Sequence, residues 1–303
     1  MRFVILHYHI FKNAGTAVEN LLKSNFGMHF ASFEGTGQDC QLSAASLVAW
    51  LEQNPQTQAV SSHQLRYPKP EAPGFIFFDL CFLRDPIDRI HSIYTFFRKH
   101  PPQSDPLSVL AHETTLGRFV SHLVEQCPHM VNDVQVTMLA TDGAYVRPPS
   151  GMDLDRATET LSAMSFPGVA DCFYASMVAG QYFWKPVFPD FDNAAIPANV
   201  SRDPGSTLES RLKAVRSACG EALYEELERL NALDRELLRR ARMEVARRFR
   251  LTPDCERRLA ELRARVRAMG GEDLSTESGL PPARGKLSAF LHGLIHSRAG
   301  RPR

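Results

Sequence analysis

Lys12, Thr16, Arg84 and Ser92 are the residues of this chain whose types and spacing could grip an anion. Lys12 lies in Phe11-Lys12-Asn13-Ala14-Gly15-Thr16, between Arg2-Phe3-Val4-Ile5-Leu6, which reads as a buried strand, and an apolar helix carrying Ala17, Val18, Leu21 and Leu22. A strand, a small-residue turn and a helix N-terminus point unpaired backbone N–H groups and the positive end of the helix dipole at one spot. Ala14 and Gly15 let the backbone approach a ligand, Thr16 adds a hydroxyl donor, and Lys12 adds a full charge. In an ATP or GTP loop of the Walker type the lysine follows the last glycine; here Lys12 precedes Gly15, so that reading is disfavoured.

The second grip follows Phe75-Ile76-Phe77-Phe78-Asp79-Leu80-Cys81-Phe82-Leu83, an apolar run suited to a central parallel strand. It delivers Arg84 to the sheet edge. Asp85 is placed to cap the next helix, Pro86 fits its first position, and Ile87, Ile90, Ile93, Tyr94 and Phe97 repeat at helical spacing. Arg84 and Ser92, about two turns into that helix, could hold one phosphate between a guanidinium and a hydroxyl. Alternatively, Arg84 is the salt-bridge partner of Asp88 or another neighbour.

Together, the two segments resemble the signatures of sulfotransferases that use 3′-phosphoadenosine 5′-phosphosulfate (PAPS), especially the carbohydrate type related to heparan sulfate 2-O-sulfotransferases. His9-Ile10-Phe11-Lys12-Asn13-Ala14-Gly15-Thr16-Ala17 is similar to that family's 5′-phosphosulfate loop, with Phe11 where proline is usual. Leu83-Arg84-Asp85-Pro86-Ile87-Asp88-Arg89, with Ser92 and Tyr94, is similar to its 3′-phosphate motif. The resemblance implies a P-loop-like sulfotransferase fold: α/β, with a central parallel sheet flanked by helices. It implies donor contacts from Lys12, Asn13, Ala14, Gly15, Thr16, Ala17, Arg84 and Ser92, with Lys12 also stabilising charge on the leaving oxygen. PAPS would be the donor and 3′,5′-adenosine bisphosphate (PAP) the product, with no metal required.

The family places a catalytic histidine after a strand shortly before the 3′-phosphate strand, and His63 matches it in Ala59-Val60-Ser61-Ser62-His63. A histidine titrates near neutrality and so suits removal of a proton from an acceptor hydroxyl. Glu34 is the rival base, preferred if His63 points away from the Lys12 loop. Where relatives close over the donor nucleotide lies the polar stretch Asn199 to Thr207. Ser201 and Arg202 are candidate contacts there, with a plain connector the equal alternative.

Composition fits an enzyme with its own core: 303 residues, 44% hydrophobic, 23% charged, with a net charge of +1. Near-neutral charge offers no broad field for nucleic acid or a heparin-like polyanion. Cys40, Cys81, Cys127, Cys172, Cys219 and Cys255 show neither C-x-x-C nor metal spacing, so free thiols in a reducing compartment are expected. His7, Tyr8 and His9 end the first apolar run before a signal core could form, and no stretch reaches transmembrane length. Animal relatives carry an N-terminal membrane anchor; a chain that starts almost directly with its first strand is expected to be cytoplasmic and bacterial.

The remaining elements alternate in α/β order: helix from Leu42 to Asn54, strand from Gln58 to Ser62, helix from Pro106 to Glu125, strand and turn from Ser165 to Phe173, helix from Tyr174 to Phe183. Helical spacing from Leu208 to Phe249 is interrupted at Asn231-Ala232-Leu233-Asp234. The expected domains are 1–250 for the sulfotransferase fold, 251–270 for a C-terminal helix with a solvated arginine face, and 271–303 for a linker and short amphipathic basic tail. That tail, with Leu287, Phe290, Leu291, Leu294 and Ile295 on one face, could dock on the domain, a second subunit or a membrane surface. The acceptor, a sugar, lipid or natural-product alcohol, would be chosen by segments 64–74, 100–106 and 141–152. The competing functions are an ATP-dependent small-molecule kinase and a non-catalytic nucleotide-binding scaffold.

Overall fold

The computed structural model describes residues 1–34, 42–102, 105–140, 145–195, 206–271 and 280. Five parallel strands form one sheet: β1 (Arg2–Tyr8), β2 (Phe30–Ser32), β3 (Ala59–Ser62), β4 (Phe75–Leu83) and β5 (Phe166–Val169), in the order β2-β3-β1-β4-β5. The helices in chain order are α1 (Gly15–Phe26), α2 (Ala44–Gln53), α3 (Pro86–Lys99), α4 (Pro106–Glu113), α5 (Leu116–Gln126), α6 (Val134–Ala140), α7 (Gly151–Ala163), α8 (Phe173–Trp184), α9 (Leu208–Cys219), α10 (Glu221–Leu230), α11 (Ala232–Leu251) and α12 (Cys255–Ala268). The fold is thus α/β with a central parallel sheet flanked by helices.

Val4 to Tyr8 are buried because both faces of central β1 are covered, which is why the strand is a continuous apolar run rather than an alternating one. β1 aligns its C-terminal end with that of β3, pairing His7 with Ser61 and Tyr8 with Ser62. On its other side it pairs with β4. The helix after β1 leads toward β2 at one edge, whereas α3 after β4 leads toward β5 at the other. The crevice between the C-terminal ends of β1 and β4 is therefore a topological switch point, where open parallel sheets bind ligands.

Asp85 caps α3 as its position suggests: its carboxylate accepts from the N–H groups of Ile87 and Asp88 at 3.0 and 3.1 Å, with Pro86 in the first turn. Ile87, Ile90 and Ile93 then enter a second core shared with Phe119, Leu123, Val215 and Leu227 of α5, α9 and α10.

Three boundaries depart from the sequence expectation. The helix expected from Pro106 to Glu125 is two, because the Thr115 hydroxyl accepts from the Arg118 N–H and starts α5 afresh. The stretch from Leu208 to Phe249 is three helices, because Gly220, at φ 77°, ends α9 in a conformation that side-chain-bearing residues avoid. α12 begins at Cys255, and its Leu259, Leu262 and Val266 are buried in the same core as the sheet. Its arginines do face solvent, as in the Arg257 pairs with Asp254 and Glu261. Beyond Gly271 only Leu280 is described, and it packs against that core; the amphipathic tail lies outside the described residues. Among the described residues no helix is long and apolar enough to cross a membrane.

Candidate active site

The loop between β1 and α1 is bent by two left-handed residues that are not glycine, Lys12 at φ 67° and Ala14 at φ 64°. Each such residue costs on the order of 1 kcal/mol or more, so neighbouring contacts must hold the bend. Asn13 is the main pin: its side-chain amide donates to the Phe82 carbonyl at 2.9 Å and to Gln135 Oε1 at 2.8 Å, and its backbone N–H to the Ile10 carbonyl at 3.1 Å. The bend leaves the N–H groups of Ala14, Gly15 and Thr16 without an acceptor among the described residues, at the positive end of α1.

Two expected donor contacts change role. Asn13 has spent both amide hydrogens and its backbone N–H inside the chain, so it anchors the loop and has no donor left for an anion. Ala17 bonds its N–H to the Ala14 carbonyl at 3.1 Å and buries its methyl in the core, so it positions the helix.

Arg84, nearly buried just after β4, is the salt-bridge partner of Asp88, the alternative that the sequence left open. Its Nε and Nη2 reach Asp88 Oδ2 at 2.9 and 2.8 Å, and its Nη1 donates to the Lys12 carbonyl at 3.0 Å. Asp88 also accepts from Arg211 of α9, at 2.7 Å from Nε and 3.2 Å from Nη2. One buried carboxylate thus aligns two guanidinium groups, and Arg84 keeps N–H groups beyond these contacts. Ser92 is buried one helical turn past Asp88 on α3.

Gln135 of α6 was missed by sequence reading. Its Oε1 accepts from the Arg84 N–H at 2.9 Å while its Nε2 donates to the Arg84 carbonyl at 3.0 Å and to Asp234 at 3.1 Å. With its bond from Asn13, it ties the loop after β1 to the end of β4. The available signal was a polar run, Asn132-Asp133-Val134-Gln135, entering the apolar Val136-Thr137-Met138-Leu139.

Lys12 extends over aromatic rings, with Nζ 4.6 Å from the Phe96 centroid and 5.7 Å from that of Phe11. Burial, followed by repulsion from Arg84 and Lys99, brings the ammonium down to about 8. Phe11, standing where the family has proline, packs edge-on against Phe96 at 5.1 Å and against His63 at 6.4 Å.

His63 sits beside this loop, not away from it. Its Nδ1 lies 2.9 Å from the His9 carbonyl oxygen. A carbonyl only accepts, so Nδ1 carries the hydrogen and the lone pair of the neutral ring is on Nε2. Of Glu34, one carboxylate oxygen accepts from the His63 backbone N–H at 2.8 Å and the other from the Ser62 hydroxyl at 3.2 Å. It clamps the turn that carries the imidazole. Ser201 and Arg202 lie outside the described residues, as does Cys40; Cys81, Cys127, Cys172, Cys219 and Cys255 are free thiols. Among the described residues no three His, Cys, Asp or Glu side chains are grouped to hold a metal ion.

The chain is thus an α/β protein that brings a loop with unbonded backbone N–H groups, a buried ion-paired arginine and an oriented imidazole to one edge of its parallel sheet. No family model matches the chain. It is similar to an uncharacterized protein of Archaeoglobus fulgidus, 30% identical over 240 residues that cover 77% of this chain and 93% of the relative, and it belongs to the same family as that protein.

Proposed function

We propose that this protein is a PAPS-dependent sulfotransferase that moves a sulfuryl group to an acceptor hydroxyl, with a P-loop-like sulfotransferase fold. The observation that carries this reading is the bond from His63 Nδ1 to the His9 carbonyl, which leaves the lone pair of the neutral ring on Nε2, at the sheet edge that also bears Lys12 and Arg84. The donor supplies an activated sulfuryl group on its 5′-phosphate. The free N–H groups of Ala14, Gly15 and Thr16 would hold that phosphate, and Arg84 with Ser92 would hold the 3′-phosphate.

His63 takes the acceptor's proton at Nε2 as the acceptor oxygen bonds to sulfur and the bond from sulfur to the 5′-phosphate oxygen breaks. Lys12 neutralises the charge that gathers on the departing phosphate oxygen. Catalysis of this kind rests on positioning and electrostatics, as in phosphoryl transfer. A small-molecule or glycan alcohol is the acceptor class, and the enzyme works in the cytoplasm.

The test is thermal stabilisation by PAP against ADP with magnesium, followed by transfer from labelled PAPS to a panel of alcohols. Preferential stabilisation by PAP and transfer would support the reading. Preference for ADP with magnesium would instead make the protein a kinase, and PAP binding without transfer to any acceptor a nucleotide-binding scaffold.

A further inference from the structure

The imidazoles of His7, His9 and His63 form a ladder at the C-terminal edge of the sheet. His7 and His9 are stacked with centroids 5.0 Å apart, and His9 and His63 lie 3.8 Å apart with planes inclined by 31°. The inner end is fixed, because His7 Nδ1 lies 2.9 Å from the Ser61 hydroxyl. The middle rung is wedged: a Cβ on Gly15 would fall 1.8 Å from His9 Nε2, so the missing side chain of the loop glycine is the space that the His9 ring fills. The outer rung is exposed and lies against that ring.

We infer that His9 is a positioning residue, whose ring holds the His63 imidazole in the orientation that its backbone carbonyl reads as the Nδ1–H tautomer. The inference rests on the sulfotransferase reading only for the role of His63 in transfer; the positioning itself is independent of it. A ring on a surface turn samples several rotamers, and a single hydrogen bond does not stop rotation about its own axis. A tilted ring contact with centroids 3.8 Å apart on one side, with Phe11 edge-on at 6.4 Å, removes most of that freedom.

An apolar filler would pack this site without the cost of burying imidazole nitrogens. Burial instead holds His9 far below the ordinary histidine value and His7 down at about 3, with repulsion from the neighbouring imidazoles adding to it. His9 therefore stacks as a neutral ring, and it presents no competing charge to its neighbour. The same ring also lies against Gly15 of the loop.

Because any residue at position 9 keeps the backbone carbonyl, substitution isolates the ring. Histidine 15N NMR of the full chain, with the His63 signals identified by their loss in His63→Ala, reads the tautomer without substrate. Wild-type protein should show the Nδ1–H form of His63 and a proton–proton contact between the His9 and His63 rings. His9→Ala, and His9→Asn as a smaller planar group should alanine fail to fold, should show mixed His63 tautomers. In the same variants kcat should fall at least tenfold, with PAP affinity changed less than threefold. An unaltered His63 signal in a folded variant, a rate loss that follows donor affinity alone, or no ring-to-ring contact in the wild type would overturn the inference. Were wild-type protein inactive with PAPS, the proposed activity would fall while the tautomer spectrum still decided the role of His9.

Discussion

The guanidinium of Arg84 donates from Nη1 to the carbonyl oxygen of Lys12 at 3.0 Å, so the arginine at the end of β4 supports the backbone of the lysine that follows β1. The two candidate anion subsites are therefore one mechanical unit, and a change at Arg84 reaches the loop as well as any phosphate it binds.

For this reason Arg84→Ala is expected to weaken PAP and also slow transfer at saturating donor. Losing a charge-assisted contact costs about 1.5–3 kcal/mol, which corresponds to roughly 10- to 100-fold in affinity. Calorimetric titration with PAP and a saturating rate measurement separate the two effects; a pure affinity loss would show that the Lys12 contact carries no catalytic weight.

Lys12→Ala should leave the fold intact and reduce kcat by about 10²- to 10³-fold, the range for removing one preorganised charge-stabilising donor. Since the ammonium is brought down to about 8, it loses its proton as pH rises through that value. Wild-type activity should accordingly decline on the alkaline side from about pH 8. The alkaline limb should disappear in Lys12→Arg, whose guanidinium stays charged.

His63→Ala should lower transfer by about 10²- to 10⁴-fold with PAP binding preserved, as general-base removal does. Glu34→Gln keeps one acceptor oxygen for the His63 N–H while its amide NH2 can donate to the Ser62 hydroxyl oxygen in place of the second acceptor, so its loss should be much smaller than that of His63→Ala. A Glu34→Gln enzyme as inactive as His63→Ala would return the base role to the carboxylate.

Asn13→Ala removes two buried donors, taking one bond from the Phe82 carbonyl and leaving Gln135 Oε1 with its bond from the Arg84 N–H, at a cost of about 1–3 kcal/mol. Gln135→Leu should destabilise similarly and should weaken PAP binding by loosening both the loop and Arg84. Chemical denaturation gives the first quantity and titration the second.

Acid should unfold the protein partly through its buried imidazoles. His7 is held at about 3 by burial and then by His63, below its unfolded value, so the unfolded chain takes up the proton first. Its contribution to stability is present above about pH 6.5 and is lost as pH falls toward 3. Asp133, raised to about 7 by burial and by Asp234, works in the opposite sense over much of that range, so the comparison must be between variants at each pH. His7→Gln should lose less Tm than wild type between pH 7 and pH 5.

The sequence by itself determined the parts of this protein whose causes are local. The apolar runs of β1 and β4, the Asp85-Pro86 start of α3 and the small-residue turn at Ala14-Gly15 all act over a few residues and were legible without coordinates. Gly220 and Thr115 were equally local signals, and they mark the helix breaks where periodicity alone suggested continuity. Tertiary structure decided what depends on strand order and register. The alignment of Tyr8 with Ser62 brings His63 onto His9, and the approach of α6 and α9 brings Gln135 to Asn13 and Arg211 to Asp88. Those partners lie 54, 122 and 123 residues apart along the chain. No short-range pattern encodes them, because only the packed sheet edge, where polar groups must find partners away from water, selects which side chains meet.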